Sequence, residues 1–505
     1  MLTFEVYKDG SHLAQWPGYV YSPAFCIFLA DADDRPRERA FQHDYGRLMC
    51  YCEPGERRKL FIRHPVKGFG DPILRTRLLQ AGETLRNLSV ELALGRMEFM
   101  DEQQAGAARE GRTTAPHLRE KIEQARRLSA EAATKDASGQ RAEAAAMAED
   151  ALAISVSAGE ELSIELARAR LAERRAAGKL RGFLLGCGAM GNLDPAGKRW
   201  RHFCRAFNYA TVGFYLGHME SPAGRVDHGP LLARCRALRE RGIQVKGHPL
   251  VWAYSLCLPP RLQGADFRTF HDAFRDRIAR DVPPFRGLIG YWDVINEAHQ
   301  PPWTNSLGFT LQQNVVLTGM AADATRRIDP AARIVVNVCL PFGEYVAGAP
   351  GRFTPLEYLQ ACIDAGVDFD VIGIQFYYGS GQAQYCWDML EVSRILDAYC
   401  SMGKAVHITE LGTPSAMGPD PNAATDSGNE IGLWHGQWDE STQADWVEQF
   451  YTICMSKPPT EAITWWSFSE AERVFWPHGG LLNGSDDPKE AFRRILSLRA
   501  MIDRS

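Results

Sequence analysis

The chain lacks a surplus of basic charge. Its 57 Lys and Arg stand against 62 Asp and Glu, for a net charge of −5. A basic patch is the electrostatic footprint of a protein that binds nucleic acid or an anionic membrane, so neither partner is expected. It also lacks any apolar run long enough to span a bilayer. The opening stretch MLTFEVYKDGSHLAQW has no basic segment followed by an apolar one, which is the pattern of a secretory leader. As written, the chain is expected in the cytoplasm, and outside the cell if a leader has been removed. Metal-ligand spacing is missing too. The closest cysteine pair, Cys50 and Cys52, has no second pair and no His-x₃₋₅-His nearby, so no metal site and no cofactor are expected. The 12 cysteines are scattered, several of them inside apolar runs (Cys26, Cys187, Cys339, Cys362). That suits buried thiols better than a disulfide framework.

What is present divides into three zones. At 505 residues the chain exceeds one small core, and two or three domains are expected. Residues 1–72 carry short β-type runs between turn residues (LTFEVY, YVYSPAFCIFLA, GRLMCYCE, KLFIRHPV), which reads as a small β-sandwich-like domain. By analogy it is a candidate carbohydrate-binding module with Trp16, Tyr19 and Tyr21 as a stacking strip, although the core is the better place for these rings. Residues 73–180 turn helix-periodic and rich in Ala, Glu and Arg, with breaks near Gly111–Pro116 and Asp136–Gly139. Their charge reads as a solvated face, and this zone is the candidate surface for a homo-oligomer.

From 181 to 505, eight apolar runs alternate with helical patterns: GFLLGCGA, YATVGFY, IQVKGHPLVW, LIGYWDVIN, RIVVNV, FDVIGIQFYY, KAVHITEL and AITWWSF. Eight βα units of this size are what an α/β chain needs to close a (β/α)₈ TIM barrel, and their even recurrence favours closure over an open doubly wound sheet. Gly186-x-Gly188-x-x-Gly191 fits the dinucleotide fingerprint. That fingerprint requires a helix opening at the glycines and a ribose-binding acid about 20 residues on. Asn-Leu-Asp-Pro follows instead, so a tight turn at the end of the first barrel strand is the better reading.

In such a barrel, polar residues at the C-terminal ends of strands lie on the face where active sites form. The third run ends in His248-Pro-Leu-Val-Trp252, the fourth in Asn296-Glu297, the sixth in Gln375-Phe-Tyr377, the seventh in Thr409-Glu410 and the eighth in Trp465-Trp466. Two carboxylates from strands four and seven would then face each other across the mouth, among His, Gln, Asn and Trp. Retaining glycoside hydrolysis needs such a pair, about 5–5.5 Å apart, one to protonate the leaving oxygen and one to attack the anomeric carbon. An Asn beside the acid can bond a sugar 2-hydroxyl, and Trp faces stack on sugar rings. A polysaccharide or oligosaccharide substrate is therefore expected.

The stretches GHPLVW, WDVINEA, ITELG and ITWWSFSEAERVFWPHGGLLNGSDDPKEAF make residues 181–495 resemble glycoside hydrolase family 10, the endo-β-1,4-xylanase family of clan A. The resemblance implies Glu297 as acid/base and Glu410 as nucleophile. It also implies His248, Trp252, Asn296, Gln375 and Trp466 around the reacting sugar, with xylan as the expected substrate; Tyr377 and Trp476 complete the expected substrate-binding set. Another β-glycan is the rival substrate, and a catalytically idle carbohydrate-binding barrel is the rival class. Four departures from the family pattern stand out. ATVGFYLGHME lacks the family's sugar-gripping Glu-Asn-x-x-Lys on strand two. Ala253 replaces a His after GHPLVW. Tyr377 replaces a strand-six His, with Tyr378 in its place if the register shifts by one. Gly412 replaces an Asp beyond the nucleophile. A Tyr377 hydroxyl donating to Glu410 would still favour the ionised carboxylate.

Overall fold

A computed structural model describes residues 1–17, 26–191, 193–221, 224–299, 304–378, 385–424 and 431–504. Eight parallel strands close into a barrel: β1 (Leu184–Gly188), β2 (Tyr209–Gly213), β3 (Gln244–His248), β4 (Tyr291–Asn296), β5 (Arg333–Val338), β6 (Val371–Tyr377), β7 (Ala405–Gly412) and β8 (Thr460–Trp465). Each contains the core of one apolar run, because strands of a parallel barrel are covered by helices outside and filled by side chains inside. Closure is made by β8 lying beside β1, with Leu184–Cys187 registered against Ala462–Trp465. The three-glycine segment belongs to this wall. A Cβ on Gly186 would come within 2.9 Å of the Tyr209 ring, and the next helix starts only at Lys198. No helix N-terminus therefore meets the glycines.

Two irregularities in the barrel decide which side chains reach its mouth. The β4–β5 register shifts between Asp293 and Ile295, and the β6–β7 register shifts so that Ile374 pairs Ile408 while Gln375 pairs Glu410. A bulge re-aims the residues beyond it, since strand side chains otherwise alternate faces strictly. Asp293 and Asn296, an odd number of positions apart, consequently both serve the interior. Thr409 and Glu410, which are adjacent, both reach the side chain of Asn337.

The N-terminal segment forms two small sheets. One orders the strands Leu85–Asn87, Leu2–Glu5, Arg47–Cys50 and Phe41–Asp44. The other orders Leu79–Gln80, Arg57–Arg63, Ile27–Ala30 and Pro36–Glu38, with Ile73–Arg75 also on Arg57–Arg63. The β structure thus continues to Asn87, past the helical onset expected at 73. The apolar spacing of Ile73, Leu74, Leu78 and Leu79 imitates a helix, but pairing with Arg57–Arg63 satisfies the backbone and overrides local propensity. Trp16 is buried and donates its indole N–H to the Asp44 carbonyl over 3.0 Å, so it is a core residue. Tyr19 and Tyr21 lie outside the described residues.

Three helices follow: α1 (Leu88–Arg109), α2 (Pro116–Ala137) and α3 (Arg141–Ala176). Their connections fall at the breaks read from Gly111–Pro116 and Asp136–Gly139. One face of α3 packs on the barrel helices Met389–Cys400 and Glu440–Ser456. α1 and α3 are both anchored to the barrel by charge as well as by apolar burial. Arg96 pairs with fully buried Asp388 over 2.9 Å. Glu160 accepts from the Met389 N–H (2.8 Å) and the Trp434 indole (3.0 Å), and meets His435 over 2.5 Å.

Candidate active site

Glu297 follows β4 in the left-handed backbone region, at φ +51°. A side chain there costs roughly 1–2 kcal/mol, and here the turn tips the carboxyl into the barrel mouth. The Glu297 N–H is held by the Asn337 carbonyl (2.9 Å), and its carbonyl accepts from the Thr304 hydroxyl (3.1 Å). The Gln375 amide donates to Glu297 Oε1 over 2.6 Å. Glu410 on β7 sits opposite, accepting from the Tyr377 hydroxyl at Oε2 (2.7 Å) and from Asn337 Nδ2 at Oε1 (3.1 Å). The His248 Nε2 stands 3.6 Å from Glu410 Oε1.

A continuous set of amides links the two acids. Asn337 Nδ2 also donates to Asn296 Oδ1 (2.7 Å), and Gln375 Nε2 reaches the same oxygen at 3.4 Å. With its oxygen so occupied, Asn296 turns its Nδ2 toward Glu297. Among the described residues, neither this N–H group nor the Trp252 indole N–H closes a hydrogen bond of good geometry, although both favour the ionised Glu297. Two buried donors beside an acid suit a ligand hydroxyl, since unsatisfied buried donors are costly.

The acids differ in environment. Glu297 is 8% exposed, and burial pushes its pKa up to about 7 against neutral donors only. Burial also raises Glu410, and Glu297 adds to that, but His248, Lys246 and the Tyr377 hydroxyl pull it back. Glu297 is thus raised among neutral donors, whereas the rise of Glu410 is opposed by the charges of His248 and Lys246. Behind His248, Asp293 accepts at Oδ2 from Nδ1 (2.6 Å) and from Lys246 Nζ (2.9 Å). Burial alone would raise Asp293, but Lys246 and His248 more than offset it and hold its pKa below the usual value. The ionised Asp293 orients the imidazole.

The remaining expected residues converge on the same mouth. Trp466 packs edge-on to His248 with ring centres 5.5 Å apart, and Trp476 lies 4.9 Å from the Tyr377 ring. Tyr377, not Tyr378, meets Glu410. The Tyr378 ring is buried on the outer side against Trp446. The departures at Tyr377 and Gly412 share a steric cause. The two residues are registered side by side, and a Cβ on Gly412 would approach the Tyr377 ring at 3.3 Å and Trp476 at 3.4 Å.

Sequence reading missed Asn337 and Tyr215. Asn337, near the C-terminal end of the apolar run RIVVNV, carried the same signal as Asn296, a polar residue where the strand meets the mouth. Tyr215 follows β2, with its ring 5.7 Å from His248 and 6.0 Å from Trp252. It stands where the sugar-gripping strand-two set was found missing.

Comparison with known proteins agrees with this geometry. A sequence model of the family described as glycosyl hydrolase family 10 matches residues 217–498. Endo-1,4-beta-xylanase B of Neocallimastix patriciarum is 22% identical over 267 residues, 52% of this chain and 28% of that protein. Anti-sigma-I factor RsgI6 of Acetivibrio thermocellus is 26% identical over 270 residues, 52% of this chain and 29% of that protein. The chain thus spans under a third of the length of either relative. Among solved structures, xylanase 10B from Thermotoga petrophila RKU-1 in complex with xylobiose superposes with a TM-score of 0.50 at 18% identity. That alignment covers 66% of this chain and 96% of the other, a likeness of fold.

Proposed function

The chain belongs to glycosyl hydrolase family 10, and from that premise we propose that it hydrolyses β-1,4-xylan internally, with retention of anomeric configuration. The observation that carries the reading is the unequal carboxyl pair. Glu297 is buried among neutral donors that leave its pKa pushed up to about 7, while Glu410 is the acid served by Tyr377, Asn337 and His248. Environments that separate two carboxyl pKa values assign the acid and the nucleophile.

In the first step Glu410 attacks the anomeric carbon as Glu297 protonates the departing glycosidic oxygen. Glu297, now ionised, then takes a proton from the water that hydrolyses the glycosyl-enzyme. Asn296 Nδ2 is placed to bond the 2-hydroxyl of the reacting sugar, and Trp466 and Trp476 offer apolar faces to its ring. His248, oriented by Asp293, steadies Glu410. Xylan as substrate is supported by the names of relatives and by the xylobiose bound in the superposed structure.

A relative of equal coverage bears the name of an anti-sigma factor, so similarity alone does not separate a hydrolase from a binding barrel. The intact acid pair and its supporting donors favour hydrolysis. The deciding experiment is reducing-sugar release from xylan and a panel of other soluble β-glycans, with Glu410→Ala alongside. Release from xylan that vanishes in the variant supports the reading. Release only from another glycan keeps the mechanism and moves the substrate. Glycan binding without release by the unmodified chain overturns hydrolysis.

A further inference from the structure

Helix α3 presents one stripe of side chains to solvent along its length. Glu143, Asp150, Ser157, Arg168 and Arg175 are all exposed. They recur at intervals of seven or eleven residues, which keeps them on one face of a helix. The stripe is acidic toward its N-terminal end and basic toward its C-terminal end. Between the charges Ala146 and Ala172 are exposed and Met147 is half-buried. At the basic end the stripe borders a groove of about 740 Å³. The facing wall is the last helix, Glu490–Asp503, which contributes Leu498 and Met501, with Arg504 just beyond it.

The groove combines an apolar floor with a surplus of positive charge. Arg494 is taken up by Glu448 and Asp445, whereas Arg168, Arg175 and Arg504 form no ion pair among the described residues. Three such guanidinium groups around Leu171, Leu498 and Met501 call for an acidic partner with apolar side chains. The other end of α3 has that composition. Asp150 forms no ion pair among the described residues, and Glu143 meets Lys135 at the surface over 2.8 Å, an exposed contact that contributes little. The positions match as well. Glu143 and Arg175 lie 16 residues either side of Gly159, and Asp150 and Arg168 lie nine either side. Met147 and Leu171 are each twelve away, and Ala146 and Ala172 thirteen. Reversing the helix about Gly159 thus lays acid on arginine and apolar on apolar. Near the centre, Glu161 is paired by Lys121 of α2, and Glu165 meets His117 of α2 over 3.5 Å.

We propose that this stripe is a two-fold interface between two copies of the chain, with α3 of one copy lying antiparallel on α3 of the other and centred at the level of Gly159. Glu143 and Asp150 of each copy meet Arg175 and Arg168 of the second, and Met147 enters the second copy's groove against Leu171. A two-fold axis requires a patch complementary to itself. A helix acidic at one end and basic at the other meets that condition in the antiparallel sense. The exposed alanines let the two axes approach to the roughly 8–10 Å of packed helices. The interface is independent of the hydrolytic reading and leaves the barrel mouths open. α3 runs from the loop after β7, where Glu160 holds the Trp434 indole, to the foot of β8, where Arg174 donates to the Met455 carbonyl over 2.6 Å. Antiparallel helices therefore point the two mouths in opposite directions.

Sedimentation equilibrium of the full chain over about 1–100 μM, where weak dimers form and dissociate, tests the interface. The unmodified chain is expected to reach the mass of a dimer. Arg168→Glu with Arg175→Glu makes the stripe acidic throughout, and Glu143→Arg with Asp150→Arg makes it basic throughout. All four positions are exposed, so both double variants should keep the circular dichroism spectrum of the unmodified chain. Each alone should dimerise at least about tenfold more weakly, since like charges then face each other across the axis. An equimolar mixture of the two should regain the dimer, because every acid again meets an arginine, and the chain carrying all four reversals should regain it alone. A monomer throughout the range overturns the proposal, as does a dimer that neither reversal weakens. Weakening without recovery in the mixture also overturns it and assigns the groove to a different acidic helix. A mass above that of a dimer overturns the two-fold pairing.

Discussion

The Tyr377 hydroxyl donates to Glu410 Oε2 over 2.7 Å, and the Tyr377 ring is registered against Gly412 on the neighbouring strand. The donor that supports the nucleophile and the missing side chain beside it are thus parts of one packing solution. Tyr377→Phe keeps the ring and removes the donor. A hydrogen bond to a charged group contributes about 1.5–3 kcal/mol, so the Glu410 pKa should rise and the acid limb of the kcat/KM profile should move up by about one unit or more. An unmoved limb would assign the support of Glu410 to Asn337 and His248 alone.

Removing either acid should separate their roles. Glu410→Ala is expected to lower kcat on every cleaved substrate by about 10⁴-fold or more, as loss of a nucleophile does. Glu297→Gln should cost about 10²–10⁴-fold on xylan and far less on a substrate whose leaving group needs no proton. Steady-state rates on xylan and on an activated aryl glycoside measure the contrast, and equal losses would reverse or erase the assignment.

The pH profile carries its own signature. Glu297 must be protonated to act as acid, and its pKa lies near about 7 in the free protein. The alkaline limb of kcat/KM should therefore fall above roughly pH 7 and be absent from what activity Glu297→Gln retains. An alkaline limb beginning well above pH 8 would place the acid elsewhere.

The same shift has a consequence for stability. A carboxyl whose pKa rises from 4.5 to about 7 on folding favours the folded state most below pH 4.5. Its stabilising contribution is lost as pH rises through 7, a change of about 3 kcal/mol. Glu297→Gln removes the titration, so its Tm relative to the unmodified chain should be higher at pH 8 than at pH 4.5. A Tm difference independent of pH would contradict the buried, protonated state of Glu297.

The helical segment should prove inseparable from the barrel. Arg96 on α1 is the partner of Asp388, and both are buried. Burial raises the Asp388 pKa while Arg96 lowers it, so Arg96→Ala strands a buried carboxyl. Breaking such a pair costs about 3–5 kcal/mol. Thermal unfolding followed by circular dichroism should show that loss as a lower Tm. A Tm within a degree or two of the unmodified chain would mean that the α1–barrel contact contributes little.

Much of the barrel could be read from the chain because its signals are local. Eight apolar runs became eight strands, since a strand covered on both faces must be apolar along its length. Asn296, Glu297 and Glu410 stood out as polar groups at the ends of such runs, and the motifs around them marked the family. Residues 73–87 misled because their apolar spacing fits a helix, and only the partner strand Arg57–Arg63 decides otherwise. Asn337 and Tyr215 carried no motif, so their part in the site emerged only when neighbouring strands were laid side by side.

The sequence by itself determined which residue types stand at the ends of the strands, because that is a matter of order along the chain. Tertiary structure alone decided which of them face inward. The bulges at Asp293–Ile295 and before Gln375 change side-chain parity, and parity depends on how two strands pair rather than on either one alone. Closure of β8 on β1 decided the rest. It brings Glu472 and Arg199, far apart in the chain, into one ion pair beside Trp466, and no local pattern encodes a contact between the two ends of a ring.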